Sequence, residues 1–260
     1  MGIPVLMLDS RSLILAWDSW DLIIALIAGL CVGSFANVVA SRLPKGLSVL
    51  SPPSFCFSCD SRLKWRDMLP IASFVLLRGC CRHCKAAISR RYPIVEGLLG
   101  VFFVMIARHT ESTFDVLLLW GLAFVLLCIS LIDMDTLEIL DGFLIFGTIL
   151  GILWIALSAE SPGPSSAALG VVLGALPLYL IDKLAWFYAK KPGFGLGDVK
   201  LMAMCGLFLG TGGIAAAYFF AFVSGGVFAV VLLASDRSKR GTYFAFGPFL
   251  SFGVLASLLR

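Results

Sequence analysis

Residues 114–135 read FDVLLLWGLAFVLLCISLIDMD, an apolar run that ends in two aspartates, Asp133 and Asp135. A helix that crosses a bilayer needs about 20 mainly apolar residues. The stretch therefore predicts a membrane-spanning helix over 114–132 with carboxylates at one end. Ionisable groups at the edge of such a helix are costly to place, so they are candidates for function.

The whole chain has the composition of this stretch. Of its 260 residues, 60% are hydrophobic and 14% are charged, and the mean hydropathy is +0.99. Soluble globular chains carry about 25% charged residues, so too little polar surface exists here to coat a soluble enzyme. The same composition excludes a disordered chain, a collagen-like chain and a small disulfide scaffold.

Eight apolar stretches predict an all-α integral membrane protein, a polytopic bundle of about eight transmembrane helices surrounded by the lipid bilayer. Pairs of glycines four residues apart recur within them and indicate close helix packing; these are Gly29/Gly33, Gly147/Gly151, Gly170/Gly174 and Gly206/Gly210. The predicted spans are 19–41, 93–107, 114–132, 142–158, 167–189, 197–210, 212–234 and 242–259.

The basic residues predict the orientation, because cytoplasmic loops retain Lys and Arg. With both termini outside, seventeen of the twenty Lys and Arg residues fall on the cytoplasmic side, and only Arg11, Arg108 and Arg260 fall on the other. Topology then accounts for the net charge of +4, and we expect no nucleic-acid partner. The first eighteen residues lack a basic cluster before an apolar core, so no cleavable signal peptide is predicted.

One long polar segment, residues 43–92, interrupts the spans after the first of them. Its two Cys-x-x-Cys pairs, Cys56/Cys59 and Cys81/Cys84, have the spacing of a four-thiolate zinc ribbon. We therefore expect a small cytoplasmic zinc-ribbon-like insert with a structural Zn²⁺, because so short a segment has little core of its own. A disulfide framework is the alternative, disfavoured in a reducing compartment. Cys80 and His83 are the alternative ligands.

A second aspartate follows a glycine-rich stretch, Gly193-Phe194-Gly195-Leu196-Gly197-Asp198-Val199-Lys200. The predicted topology puts Asp133 and Asp198 at the same cytoplasmic depth. Two such carboxylates can share one proton, which leaves one acid and one base, as in aspartic peptidases. The glycines would let the backbone bend and admit a substrate strand.

Other carboxylates remain open as partners or contacts. Asp135 or Asp141 could replace Asp133 in the pair, although Asp133 and Asp135 point in opposite directions on a helix. Asp141 is also expected to cap its helix, and Asp182 to pair with Lys183 or cap a helix end. Glu96 is expected either to bind a substrate amine or to pair with Arg90 or Arg91.

Taken together, these segments resemble the bacterial type 4 prepilin peptidases, membrane aspartic proteases with a Gly-x-Gly-Asp motif. The resemblance covers nearly the whole chain and rests on five motifs in the family's order. They are 32–39 with 42–44; the two Cys pairs with Arg78-Gly79 and 88–96; Ile132-Asp133; Gly195-Leu196-Gly197-Asp198; and Phe246-Gly247-Pro248.

The resemblance implies an endopeptidase that cleaves the basic leader from prepilin or pseudopilin substrates at the cytoplasmic face of the bacterial inner membrane. It also implies N-methylation of the new N-terminus with S-adenosylmethionine. Asp133 and Asp198 would be catalytic, with Gly195, Gly197 and Lys200 supporting the motif. Cys56, Cys59, Cys81 and Cys84 would bind the metal. Glu96, Asp135, Glu138 and Asp141 are the candidate substrate contacts.

Three segments follow from this interpretation: 1–42 with the first helix, 43–92 as the zinc-binding, methyltransferase-associated insert, and 93–260 as the peptidase core. Two alternative functions remain. One is a membrane methyltransferase without peptidase activity, against which the intact aspartate pair argues. The other is a non-enzymatic zinc-ribbon scaffold of a secretion system, which would tolerate Asp133→Asn. The sequence predicts no oligomeric state.

Overall fold

The computed structural model describes residues 18–190, 193–234 and 244–260. Within these ranges the secondary structure is helical apart from two isolated β-bridges, which confirms the all-α class. Five basic residues that support the predicted orientation, Arg11, Lys191, Arg237, Lys239 and Arg240, lie outside the described residues. The helices are α1 (Ser19–Arg42), α2 (Ala72–Leu76), α3 (Arg91–His109), α4 (Thr113–Thr136), α5 (Asp141–Leu157), α6 (Pro164–Ala189), α7 (Leu196–Ala234) and α8 (Gly247–Leu258).

Helix α4, which contains the predicted span 114–132, lies at the centre of the bundle. It contacts α1, α3, α5 and α8, while α1 packs along α3 and α7 packs along both α6 and α8. Its side chains Leu122, Leu126, Ile129 and Ile132 are fully buried. Asp133, near the end of this helix, is therefore held by a well-packed helix.

Helix α7 turns back on itself at Gly210. This residue has φ 56° and ψ −161°, a conformation that glycine adopts and residues with a Cβ avoid. Met202 and Tyr218 lie eight residues before and after Gly210, and both contact Gly174 of α6. A Cβ on Gly174 would clash with the Met202 backbone, and the Tyr218 hydroxyl donates to the Gly174 carbonyl. The two arms are antiparallel, matching the predicted spans 197–210 and 212–234.

Length and composition identify five described helices that could cross a membrane: α1, α3, α4, α6 and α7. Helices α5 and α8 are apolar but shorter. At 39 residues, α7 would be about 58 Å long if straight, far more than a bilayer core of about 30 Å. When the two arms of α7 are counted separately, the described part of the chain has eight apolar helical segments, which is the number of spans predicted.

Small residues bring the helix backbones together as the glycine pairs predicted. A Cβ at Gly29 would lie 2.7 Å from Gly100 Cα, and a Cβ at Gly33 would lie 2.8 Å from Glu96 Cα. Since real Cβ atoms do not approach so closely, α1 and α3 can pack at this distance only with glycines there. The polar insert joins these two helices.

Candidate active site and metal centre

The ends of seven helices lie together at one end of the bundle. The C-terminal ends of α1, α4 and α6 and the N-terminal ends of α3, α5, α7 and α8 meet there, linked by hydrogen bonds and ion pairs between them. The polar insert, between α1 and α3, emerges at the same end. We call this the dyad end, because Asp133 and Asp198 both lie in it.

Asp133 is in the last turn of α4 and is only 6% exposed. Its Oδ2 atom accepts a hydrogen bond of 2.8 Å from the backbone N–H of Gly247, the first residue of α8. A Cβ at Gly247 would lie 2.6 Å from that oxygen. The carboxylate is therefore fixed by a backbone donor that can approach it only because residue 247 is a glycine.

Asp198 is in the first turn of α7, where its Oδ2 accepts from the N–H of Gly195 at 3.2 Å. That bond is the kind a helix-capping carboxylate makes, and capping alone would explain an Asp here. Asp198 also lies close enough to Asp133 for the two carboxylates to repel each other electrostatically. Capping does not require that proximity, whereas a shared-proton pair does.

Two aromatic side chains join the segments that carry the aspartates. The rings of Phe194 and Phe246 meet edge-on at 5.1 Å between centroids. Phe194 precedes the Gly195 that binds Asp198, and Phe246 precedes the Gly247 that binds Asp133. Aromatic contact thus couples the positions of the two carboxylates.

Asp182, near the end of α6, fixes the loop before α7. Its Oδ1 accepts from the backbone N–H groups of Gly193 at 3.0 Å and Phe194 at 3.4 Å. The expected pair with Lys183 is wrong, because no ion pair of Asp182 is among those in the described residues. The expected cap is also wrong, because Lys190 is the C-cap residue of α6. The sequence held no signal for this contact, since it joins residues eleven and twelve apart.

Two of the three glycines near the start of α7, Gly193 and Gly197, serve close packing rather than unusual backbone angles. None of the three is among the described glycines with positive φ. A Cβ at Gly193 would lie 2.9 Å from Ala185 Cβ, and one at Gly197 would lie 3.0 Å from Ile139 Cβ. Close packing, and not the predicted bending, is therefore what requires glycine at 193 and 197. The Cβ position of Gly195 is 3.5 Å from Asp198 Oδ2, an ordinary van der Waals distance.

The other acidic residues of this end are placed differently. Asp135 binds Arg91 Nη1 at 2.6 Å, and Asp141 binds Lys200 Nζ at 2.8 Å, so neither takes the place of Asp133 beside Asp198. Asp141 is not the cap of α5, because Leu140 holds that position. Glu138 is exposed and makes no ion pair with a described residue.

Glu96 joins the insert to the bundle. Its side chain is 6% exposed and accepts a 2.7 Å hydrogen bond from the backbone N–H of Ile71, just before α2. The expected pair with Arg90 or Arg91 is wrong, because Arg91 binds Asp135 instead. In this arrangement Glu96 is a buried structural contact rather than an open site for a substrate amine.

The insert brings four thiols together. One sulfur from each of Cys56, Cys59, Cys81 and Cys84 lies within 4.8 Å of the other three, and the Cys56 and Cys84 sulfurs are 3.8 Å apart. Four sulfurs around a tetrahedral Zn²⁺ at about 2.3 Å would be about 3.8 Å from one another. The predicted set of four is therefore assembled as a metal-sized cluster.

Two similar turns build this cluster. In the first, the Asp60 N–H donates to Cys56 O at 2.8 Å; in the second, Lys85 N–H donates to Cys81 O at 3.1 Å. Asp60 and Lys85 both have positive φ, and a β-bridge flanks each turn. The alternative ligands lie outside the cluster: Cys80 Sγ faces the Arg78 carbonyl at 3.6 Å, and His83 is not in the set.

The thiols differ in proton affinity. Backbone N–H groups of Cys84 and His83 lower the pKa of Cys81 to about 6. The Ala86 N–H favours the Cys84 thiolate, but burial and the neighbouring thiols outweigh it and raise the pKa of Cys84 to about 11. Full deprotonation of the set at neutral pH therefore needs a cation at its centre, as in structural zinc sites.

Two family models match the chain. The bacterial peptidase A24 N-terminal domain matches residues 27–110, a range that includes most of α1, the insert and α3. The type IV leader peptidase family matches residues 120–230, which contain both aspartates. No solved structure is significantly similar to the chain.

Curated relatives match over most of their length. The prepilin leader peptidase/N-methyltransferase of Stutzerimonas stutzeri is 32% identical over 266 residues, covering 90% of this chain and 89% of the relative. That of Pseudomonas putida is 33% identical, with 88% and 86% covered. The type 4 prepilin-like proteins leader peptide-processing enzyme of Escherichia coli H10407 is 31% identical, with 91% and 93% covered.

Proposed function

The chain belongs to the type IV leader peptidase family, and on that premise we propose that it is a membrane aspartic endopeptidase with Asp133 and Asp198 as its catalytic pair. Its substrates are type 4 prepilins or pseudopilins, and it N-methylates the residue that cleavage exposes. The observation that carries this proposal is the approach of two carboxylates from distant helices at one end of the bundle.

In the proposed reaction the pair holds one proton. The ionised carboxylate takes a proton from a water molecule, which attacks the scissile carbonyl carbon, and the protonated carboxylic acid donates to the carbonyl oxygen. When the tetrahedral intermediate collapses, the carbon–nitrogen bond breaks and a proton passes to the leaving amine. Gly247 N–H keeps one Asp133 oxygen fixed throughout, so the pair does not reorient during the reaction.

The five apolar helices and the family indicate a bacterial inner-membrane protein. We place the dyad end at the cytoplasmic face, because the basic insert and Arg42, Arg91 and Lys200 all lie at that end. A prepilin carries a basic leader before an apolar helix. Its junction then meets the aspartates while the apolar helix remains in the lipid.

Among the candidate substrate contacts, Glu138 is the one that we assign to the basic leader. Asp135 and Asp141 are already neutralised by Arg91 and Lys200, and Glu96 is buried under the insert. Glu138 is exposed, lies five residues after Asp133, and has no cationic partner among the described residues. Leader binding there would compensate for a basic insert that repels the leader.

Reversing the charge in Glu138→Lys tests that contact. We expect leader cleavage to slow about tenfold through a higher KM, with kcat retained, because one attractive contact becomes repulsive. The matched control is Glu111→Lys, an exposed glutamate between α3 and α4, away from the dyad end. Equal rates for the two variants would remove Glu138 from the leader site.

For the insert, we propose that Cys56, Cys59, Cys81 and Cys84 hold a structural Zn²⁺. Their spacing and softness suit that ion. We also propose that residues 43–92 form the methyltransferase-associated insert and that residues 93–260 form the peptidase core.

S-adenosylmethionine supplies the methyl group when it is bound. A cavity on the insert is lined by Arg62, Lys64 and Arg66, whose charge does not fit a sulfonium cation. We therefore assign no residue to this cofactor and derive no step through it.

Co-expression with a prepilin tests the proposed function. Mass spectrometry of the pilin should show loss of the leader and a gain of one methyl group at the new N-terminus. An intact leader would overturn the peptidase assignment. A cleaved and unmethylated product would restrict the function to proteolysis.

A further inference from the structure

The insert contains a cavity of about 730 Å³ that the peptidase chemistry does not use. Three of the six side chains that line it are cationic and one is tryptophan. The lining residues are Arg62, Leu63, Lys64, Trp65, Arg66 and Met68.

The wall of this cavity is a fixed turn. Trp65–Asp67 forms a 3₁₀ turn, and the Asp67 side chain, 2% exposed, accepts from Lys64 N–H at 3.2 Å and from Arg82 Nε at 2.7 Å. Arg82 follows Cys81 of the thiol cluster, so the turn is tied to the metal centre. The pKa of Asp67 is lowered: burial opposes its charge, but the hydrogen bonds from Arg82 and from the Lys64 N–H and the charges of Arg82 and Arg66 together outweigh burial.

The cavity lies at the depth of the membrane boundary. Ile71, three residues after Met68, donates its N–H to Glu96 at 2.7 Å, and Glu96 is five residues into α3, about 7–8 Å along the helix axis from its start at Arg91. The chain after the cavity thus descends below the end of a membrane-spanning helix. The cavity residues, which come just before Ile71 in the chain, then lie at the level of the lipid headgroups.

The exposed side chains of the cavity suit the headgroup region of a membrane. Arg62, Lys64 and Arg66 form none of the three ion pairs of the described residues. Trp65 is 72% exposed, and tryptophan is enriched where the apolar core meets the headgroups. Other large apolar side chains of the insert, Leu50, Phe57 and Leu76, are also exposed.

The positive charge of the insert indicates that its ligand is an anion. Residues 43–92 contain nine Lys or Arg residues and two carboxylates, and one of those carboxylates, Asp67, is held by Arg82. Basic clusters beside a membrane helix attract anionic lipids, and guanidinium groups bind phosphate oxygens through two parallel hydrogen bonds. A soluble phosphate would use the three cations but would leave Trp65 and Met68 without a contact.

We propose that the cavity binds the phosphate-bearing headgroup of an anionic phospholipid in the leaflet at the dyad end. Arg62, Lys64 and Arg66 bind the phosphate, while Trp65 and Met68 pack on the upper part of the acyl chains. The insert is then held flat on the membrane surface, independently of its thiol cluster. This site requires neither the peptidase nor the methyltransferase activity.

Lipid titration of the full-length chain in detergent tests this proposal. Native mass spectrometry should show phosphatidylglycerol bound in preference to phosphatidylcholine. In Lys64→Gln/Arg66→Gln the preference should fall about tenfold or more, since two basic contacts are lost. The matched control, Arg78→Gln/Lys85→Gln, removes the same charge from the insert outside the cavity and should retain the preference.

A second measurement identifies the source of the phosphate and is independent of the charge variants. Phosphatidylglycerol brominated near the headgroup should quench the fluorescence of the wild type more than that of Trp65→Phe, and inorganic phosphate should not relieve the quenching. Equal losses in the two double variants, or equal binding of phosphatidylcholine, would overturn the proposal. Displacement by inorganic phosphate would show a soluble phosphate site instead of a lipid site.

Discussion

At Gly247 the addition of a single methyl group is expected to reduce the rate of leader cleavage strongly. Adding one methyl group in Gly247→Ala would put a carbon 2.6 Å from the Asp133 carboxylate. Because a displacement of about 1 Å in a catalytic group can cost about 100-fold in rate, we expect leader cleavage to fall by at least that factor. Initial rates with a purified prepilin measure the effect.

A glycine at the same end provides the matched control. Gly142, in the first turn of α5, has nothing within 4 Å of its Cβ position, so Gly142→Ala should cleave at the wild-type rate. A Gly247→Ala enzyme as active as Gly142→Ala would show that the carboxylate does not depend on this contact.

Asp182 acts as a positioning residue, because it touches the loop of Gly193 and Phe194 rather than either aspartate. In Asp182→Ala the two backbone N–H groups lose their acceptor, and we expect kcat to fall about tenfold with KM unchanged. Asp182→Asn keeps an acceptor oxygen and should restore most of the rate. Loss of activity in the Asn variant equal to that in the Ala variant would contradict positioning through these bonds.

At the level of elements, the insert is a separate structural unit attached by a few contacts. Its thiol cluster is built from two turns with similar geometry. Its links to the bundle include the hydrogen bond from Ile71 to Glu96 and those from Arg42 of α1 to the carbonyls of Ser48 and Pro52. The aspartates belong to α4 and α7. The metal should therefore stabilise the insert and affect the peptidase pair only indirectly.

Metal removal tests this separation. We expect one Zn²⁺ per chain by elemental analysis, lost on chelation or in Cys81→Ser, with the leader still cleaved at a rate within about tenfold of the wild type. Cys80→Ser is the matched control, since its sulfur faces Arg78 O instead of the cluster, and it should retain the metal. Metal loss in Cys80→Ser alone would mean that the ligand set is wrong.

The elements that could be predicted are those with a local signal. Apolar runs predicted the spans, and the Cys-x-x-Cys spacing predicted the thiol cluster, because both depend on neighbours in sequence. The reversal of α7 at Gly210 could be predicted as two spans without the strained turn that joins them. The contacts of Asp182, Glu96 and Asp141 could not be predicted, since each depends on which backbone group or cation packing brings near.

At the level of the whole molecule, the ends of seven helices meet where Asp133 and Asp198 approach each other. The sequence predicted this convergence through topology, by requiring α4 to end and α7 to begin on the same side. It could not supply the distance-setting contacts, Gly247 to Asp133 and Phe194 to Phe246, which depend on how α8 packs beside α4 and α7. The bundle is thus the scaffold that holds two otherwise repelling carboxylates together.

A comparison of single and double variants tests this arrangement most directly. Initial rates of leader cleavage are measured for the wild type, Asp133→Asn, Asp198→Asn and the double variant, with Glu111→Gln as the control for loss of an acidic group. If the two carboxylates act as one unit, either single variant loses about as much activity as the double variant, at least about 1,000-fold. A wild-type rate in either single variant, or losses that multiply in the double variant, would contradict the shared-proton pair.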